Sequence, residues 1–218
     1  MGLMTRPASA STKEILMRLD QRIRTVDEER WLSSRYAAEP KRNTLIVLYA
    51  FYYEIARVRV AVSDETMGLI RFQWWRDALS EMHEGQVRQH DVALALAAEI
   101  KADALSLSGL SDMIDQHETA FLTDQRDAEP EAALATLAAH VLQANWVADD
   151  AVSAAAEEWA ALRRGEAVAS SPPPVRLPSS IRPALAHLRL RRAWAAARKL
   201  GPLRTRGLVL QAILTGWI

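Results

Sequence analysis

Nine consecutive residues, Leu45 to Tyr53, read Leu-Ile-Val-Leu-Tyr-Ala-Phe-Tyr-Tyr and carry no charge. The run continues into Glu54, Arg57 and Arg59 without the alternation of a strand. A helix that is apolar nearly all round is stable only where other helices enclose it. The rest of the chain must therefore wrap this segment. Ser63 or Asp64 can cap a second helix, with Glu65 near the positive end of its dipole and a stop at Gly85. Residues 43–77 thus read as a helical hairpin joined at Val62–Asp64, and they hold half of the chain's aromatic side chains.

The flanking sequence supplies the enclosing helices. Residues 1–11 read as a loose tail of small residues. From Thr12 to Tyr36, Ile15, Leu16, Leu19, Ile23, Val26 and Trp31 keep helical spacing, which predicts one helix interrupted by the charged Asp27–Arg30 cluster. Pro40 closes the connection. Further helices are expected over Val92–Ile100, after a break at Ser108-Gly109 with Ser111 or Asp112 as cap, over Glu131–Val147 behind Pro130, and over Ala151–Arg164 up to Gly165. Glu166–Ser180, rich in proline and serine, cannot be helical. Ser179 or Ser180 then caps Arg182–Leu200, and Leu203–Trp217 forms a last short helix. No period of two survives anywhere. The expected fold is all-α, a single-domain bundle of eight or nine helices over residues 12–218.

Composition narrows the function classes. Half of the 218 residues are apolar and a quarter are charged, an ordinary globular balance. No run of eighteen apolar residues could span a bilayer, and Met1 to Asp20 lacks the apolar centre of a signal peptide, so a cytoplasmic location is expected, with the inner face of a membrane as the peripheral alternative. The absence of cysteine excludes disulfides, thiolate zinc sites and a cysteine nucleophile. The net charge of zero conceals an asymmetry: residues 1–150 carry 16 Lys and Arg against 24 Asp and Glu, whereas 151–218 carry 11 against 3. Either the two ends neutralise each other by packing, or the basic C-terminal part offers a face to anionic lipid or an acidic partner. Nothing reads as a nucleic-acid-binding motif.

General catalytic motifs are absent: there is no glycine-rich phosphate loop and no nucleophile elbow, and His117-Glu118 is not followed by the second histidine of a zinc motif. The five histidines do not cluster at metal-ligand spacing. The hairpin carries more. Tyr49-Ala50-Phe51, then Glu54, then Arg71-Phe72-Gln73-Trp74-Trp75-Arg76-Asp77-Ala78-Leu79 resembles the squalene/phytoene synthase family, whose corresponding helices read Tyr-Ala-Phe, an Asp-rich motif, and Leu-x-x-Trp-Trp-Arg. Asp112–Phe121 is similar to a later Asp-containing helix of that family, and Arg176-Leu177-Pro178 to its Tyr-Leu-Pro loop.

The resemblance implies a helical isoprenoid-synthase fold in which two carboxylates four residues apart hold magnesium and the magnesium carries a prenyl diphosphate, because a diphosphate leaving group must be neutralised as its carbon–oxygen bond breaks. Aligned on Tyr49–Glu54, those carboxylate positions fall on Ala56 and Val60, which cannot bind a metal. The second Asp-rich motif has no counterpart near Glu157–Arg164, and Asp149-Asp150 point about 100° apart on a helix. By the same resemblance the second half is expected to be shorter than in the enzymes, with little chain after Arg206 to complete a deep isoprenoid tunnel.

Three readings follow from this. The first is a binding or assembly protein on the family's scaffold, needing no cofactor, with a protein partner and a residual groove for an isoprenoid or lipid. The resemblance points here to the non-enzymatic branch that serves respiratory complex I assembly, whose partner would be a respiratory-complex subunit. The second is a divergent, magnesium-dependent prenyl transferase using Glu54, Asp112 and Asp115 as a displaced metal site. The third is a peripheral membrane module acting through residues 181–206, including Arg189, Arg191, Arg192, Arg198 and Lys199. Candidate groove residues are Tyr49, Tyr52, Tyr53, Glu54, Arg57, Arg71, Trp74, Trp75, Arg76, Asp112 and Asp115. Trp74 and Trp75 cannot face the same neighbours, so one belongs to the core and the other to a groove or interface. Arg57, Arg59, Arg71 and Arg76 could hold an anion without metal.

Overall fold

In the computed structural model, the central helix predicted from Leu45–Tyr53 is α3, Lys41–Ala61, and every residue from Thr44 to Tyr52 is buried, as are Ile55 and Val58. The described residues are 11–62, 64–125, 130–147, 149–168, 170–196 and 200–218. The predicted tail, apart from Ser11, and Ser63, Arg198 and Lys199 lie outside them.

Before α3 come α1 (Thr12–Val26) and α2 (Glu28–Ser34). After it come α4 (Glu65–His83), α5 (Asp91–Lys101), α6 (Leu107–Thr123), α7 (Glu131–Leu142) and α8 (Asp150–Arg163). Then follow α9 (Arg182–Leu185), a 3₁₀ turn (Ala186–Leu190), α10 (Arg191–Ala195) and α11 (Pro202–Thr215). Helix α3 touches α1, α2, α4, α5, α6 and α7, which explains why its sequence is apolar on every side. Each aliphatic residue buried this way contributes about 1.5–3 kcal/mol relative to exposure. The outer layers pair α4 with α6 and α7 with α8, while α11 lies along the 3₁₀ turn. Within the described residues the only β pairing is an isolated bridge between Arg176 and Trp217.

The helix count exceeds the expected eight or nine because two predicted helices are broken by polar groups that the core requires. The first splits at Asp27, where φ −146° and ψ 61° turn the chain so that the Asp27 carboxylate caps no amide of α2 and instead meets Arg30. The predicted Arg182–Leu200 helix divides because Arg191, fully buried, must reach Glu158 of α8 together with the carbonyls of Pro172 and Pro173, both at 3.3 Å. That arginine ties the proline-rich segment to the bundle. Val175 and Ile218 exchange backbone hydrogen bonds at 2.9 and 3.2 Å, and Arg182 donates to the last carbonyls of α11.

Helix α6 begins at Leu107, capped by Ser106, so Ser108-Gly109 lies inside its first turn rather than breaking the chain. Gly109 is small for packing: a Cβ there would stand 2.6 Å from a methyl of Leu137 on α7. Helix α7 stops at Leu142, five residues short of the predicted end, and the chain folds back so that the His140 ring meets the carbonyl of Trp146 at 2.7 Å. Asp64 accepts from the Met67 amide and starts α4 as expected.

Candidate functional site

On one face of α3, Tyr49 and Tyr52 point into the bundle, one turn apart, and meet a buried polar cluster. Arg30 of α2, 4% exposed, donates to Asp27 at 2.7 Å and to Glu131 at the start of α7. The Tyr52 hydroxyl donates to the other Glu131 oxygen at 2.6 Å, and the Tyr49 hydroxyl reaches the Ala184 carbonyl at 3.3 Å. The Arg30 guanidinium lies over Trp159 of α8 at 4.5 Å and over Tyr52 at 5.3 Å. His187 stands edge-on to Trp159 at 4.9 Å.

Burial alone would strip the charge from such groups, and their mutual pairing prevents it. Burial pushes the Asp27 carboxyl up, but Arg30 and Arg163, the latter 3.3 Å away, outweigh it and hold the group below the ordinary carboxylate range. Arg30 is likewise held charged by Asp27 and Glu131 against its burial. His187 has no carboxylate against it of comparable effect. Burial and the nearby Arg30 push its imidazole well below the usual value, so it is neutral.

The cluster fills the interior of the bundle beside Tyr49 and Tyr52. The cavity among Arg30, Tyr49, Glu131, Leu134, Ala138 and His187 measures about 10 Å³, room for about one water molecule. Sites for ligands of ordinary size run about 300–1,000 Å³. Further along the same face of α3, Ala56 is half-buried against the core and Val60 is 89% exposed. Between them Arg59 contacts Asp124 at 3.4 Å. His117 of α6 packs on Tyr52 with ring centres 4.9 Å apart, its Nε2 without a hydrogen-bond partner. Burial, helped by Arg59, pushes its imidazole down to about 3. A neutral histidine, an arginine and two alkyl side chains do not fit magnesium, and among the described residues no three His, Asp or Glu side chains gather to hold a metal ion.

The opposite face of α3 forms a second feature with α4. Glu54, Arg57 and Val58 line an open groove of about 330 Å³ with Arg71, Trp74, Trp75 and His90. Trp75 is its buried floor, edge-on to Phe51 at 5.3 Å, whereas Trp74 is half-buried and lines the wall, with Arg88 stacked on its ring at 4.8 Å. Glu54 pairs with Arg22 of α1 at 2.5 Å and more distantly with Arg57 at 3.8 Å. Tyr53 lies beside both arginines, 5.2 Å from Arg22 and 5.7 Å from Arg57.

The predicted site residues are thereby divided three ways. Tyr49 and Tyr52 belong to the interior cluster, and Glu54, Arg57, Arg71, Trp74 and Trp75 to the groove with Tyr53 at its edge. Arg76 turns away to Asp115 and Glu118 of α6, both at 2.6 Å, and Asp112 is exposed one turn before Asp115. The displaced metal site of Glu54, Asp112 and Asp115 is not assembled: Glu54 and Asp115 are held by arginines on different helices. Nor do the four arginines converge, since Arg59 and Arg76 are engaged elsewhere. The buried share of residues 181–206 is also unavailable to a membrane, because Ala184–Leu188, Leu190, Arg191 and Ala193 face the core.

The sequence profile of the squalene/phytoene synthase family matches residues 23–144, more than half of the chain. The chain belongs to that family. Among curated relatives, the protein named NADH dehydrogenase (ubiquinone) complex I, assembly factor 6 is 29% identical in Homo sapiens, 31% in Mus musculus and 32% in Rattus norvegicus, each over 96 residues. Those residues are 44% of this chain and span 29% of each relative's own length. No solved structure matches the chain. The family's motif residues Tyr49–Phe51 and Trp74–Arg76 all fall within the matched region. No described helix is long and apolar enough to cross a membrane.

Reading the sequence missed Arg30, Asp27, Glu131, His117 and His187 as a connected interior. One signal was available: Arg30 lies seven residues after Ile23, on the stripe of Ile15, Leu19 and Ile23 that α1 buries. A charge continuing an apolar stripe needs a buried partner.

Proposed function

We propose that this member of the squalene/phytoene synthase family is a binding protein that assists assembly of respiratory complex I, transferring no prenyl group and needing no cofactor. The observation that carries the reading is the interior of the bundle. Where the resemblance aligns metal-binding carboxylates stand Ala56 and Val60, and the interior beside Tyr49 and Tyr52 is filled by the Arg30–Glu131–Tyr52 cluster around about 10 Å³ of space. A buried ion pair filling the interior makes the scaffold a rigid core whose outer surfaces are left for recognition. The resemblance to complex I assembly factor 6 supports the choice of process, and a subunit of that complex is the partner it implies.

The test has two arms. Incubation with farnesyl or geranylgeranyl diphosphate and magnesium is expected to yield no coupled C30 or C40 product, and turnover above trace would overturn the reading. Cells lacking the chain are expected to lose assembled NADH dehydrogenase on a native gel and regain it on complementation. An unchanged amount of assembled complex would refute the assignment to that process.

A further inference from the structure

The groove between α3 and α4 lies on the side of α3 away from the polar cluster, and nothing in the interior chemistry accounts for it. It continues along α4 into a stripe: Met67 lies three and four residues before Ile70 and Arg71, and these lie four and three before Trp74, so the four share one face. Met67 is 48% and Ile70 55% exposed. We infer that this groove and stripe are the docking surface for an acidic, amphipathic segment of a protein partner, its apolar residues covering Met67, Ile70 and Trp74 and a carboxylate pairing with Arg71. The inference rests on the assembly reading and names the surface through which it works.

Charge is the first argument. Arg71 is exposed and has no hydrogen bond or ion pair among the described residues, and Arg57 has only a Glu54 3.8 Å away that Arg22 already holds at 2.5 Å. Arg57 and Arg71 thus line the groove with Glu54 as its one carboxylate, and Glu54 is itself held by Arg22, although residues 1–150 are acidic by eight charges. A cationic surplus in the acidic part of the chain is not needed to neutralise the basic C-terminal part. It complements a carboxylate from outside.

Shape and composition are the second. The groove is open along one side, whereas small-molecule sites bury most of their ligand. Met67, Ile70 and Trp74 run over seven residues, about 10 Å of helix, which matches two turns of an apolar partner face. Tryptophan and arginine side by side, with Trp75 as a dry floor, are the residue types that dominate binding energy at interfaces. Asp64, Glu65 and Asp77 flank the stripe on the same helix or at its cap, so an extended anionic membrane surface would meet them, whereas a single carboxylate placed at Arg71 need not.

A benzoylphenylalanine photocrosslinker placed at Ile70 of the full chain, and separately at the 69%-exposed Leu214 of α11, tests this in the chain's own cell. Adducts are mapped by mass spectrometry with and without the exposed-surface variants Arg71→Glu and Met67→Asp, whose thermal melts should match the parent. The expected result is an adduct at position 70 to a peptide carrying Asp or Glu among apolar residues. Its yield should fall at least tenfold with Arg71→Glu and return when the partner's acid is exchanged for arginine. Protein adducts at position 214 alone would overturn the docking surface and leave the assembly reading standing. Lipid adducts at position 70, or a protein adduct indifferent to Arg71→Glu, would also overturn it. Absence of protein adducts at both positions would take the assembly reading down as well.

Discussion

His117 makes the fold sensitive to acid in a way that can be isolated. Its ring is 2% exposed, packed on Tyr52, and its Nε2 has no partner that a proton could serve. Burial, with Arg59 adding to it, lowers the imidazole from 6.5 to about 3. The folded-state value lies below the unfolded one, so the unfolded chain binds the proton more readily. Stability is fully present above pH 6.5 and is lost as the pH falls from there toward 3. Between pH 7.5 and pH 5 the loss from this residue comes to about 2 kcal/mol, because near pH 5 the unfolded imidazole sits about 1.5 pH units below its own midpoint while the folded one remains neutral. Urea melts of the parent and of His117→Leu at the two pH values give the difference directly. The leucine variant carries its own packing change at both pH values, and the comparison cancels it. Other groups, including His187, titrate in both proteins and cancel likewise. The parent should lose about 2 kcal/mol more than the variant. An identical loss would mean that His117 is not buried neutral, and the packing of α6 against Tyr52 would be wrong with it.

The interior cluster predicts large effects from small changes. Arg30→Met should destabilise by about 3–5 kcal/mol by leaving Asp27 and Glu131 buried without their cation, and Tyr52→Phe by about 1.5–3 kcal/mol through the lost hydrogen bond to Glu131; chemical denaturation measures both. Gly216 has φ +80°, and a Cβ there would lie 2.6 Å from the Leu177 carbonyl, so Gly216→Ala should cost about 1–3 kcal/mol and loosen the C-terminal bridge. Placing carboxylates at the aligned positions with the double variant Ala56→Asp, Val60→Asp should yield neither coupled product nor magnesium-dependent thermal stabilisation by a non-hydrolysable prenyl diphosphate, because the cavity beside Tyr49 and Glu131 remains about 10 Å³. A clear stabilisation would show that the cavity opens readily.

The hairpin of residues 43–77 was legible because its evidence is local. An apolar run nine residues long has one solution, a helix inside other helices, and Asp64 supplies the start of the next. The motif residues Tyr49–Phe51 and Trp74–Arg76 carried the family resemblance for the same reason. Helix boundaries were misread where a residue serves a tertiary contact: Asp27 ends α1 and pairs with Arg163 of α8 as well as with Arg30, and Gly109, which looked like a break, leaves room for Leu137 of α7. The candidate site was half legible. Glu54, Arg57, Arg71, Trp74 and Trp75 do meet in one groove, since their spacings place them on facing sides of two adjacent helices.

The other half depends on contacts between residues far apart in the chain. Arg30 meets Glu131 across 101 residues, and Glu158 meets Arg191 across 33. Periodicity reports which face of a helix is apolar and says nothing about which helix will lie against it. The sequence by itself therefore determined an all-α chain organised around α3, with alkyl side chains at the positions that the family resemblance aligns with metal-binding carboxylates. Only the tertiary structure decided that the interior beside Tyr49 and Tyr52 is filled by a buried ion-pair cluster and that Arg71 and Trp74 line an outward-facing groove. Pairing charges at that depth is a property of the packed bundle, because the desolvation that makes the pairing obligatory exists only once the helices have closed.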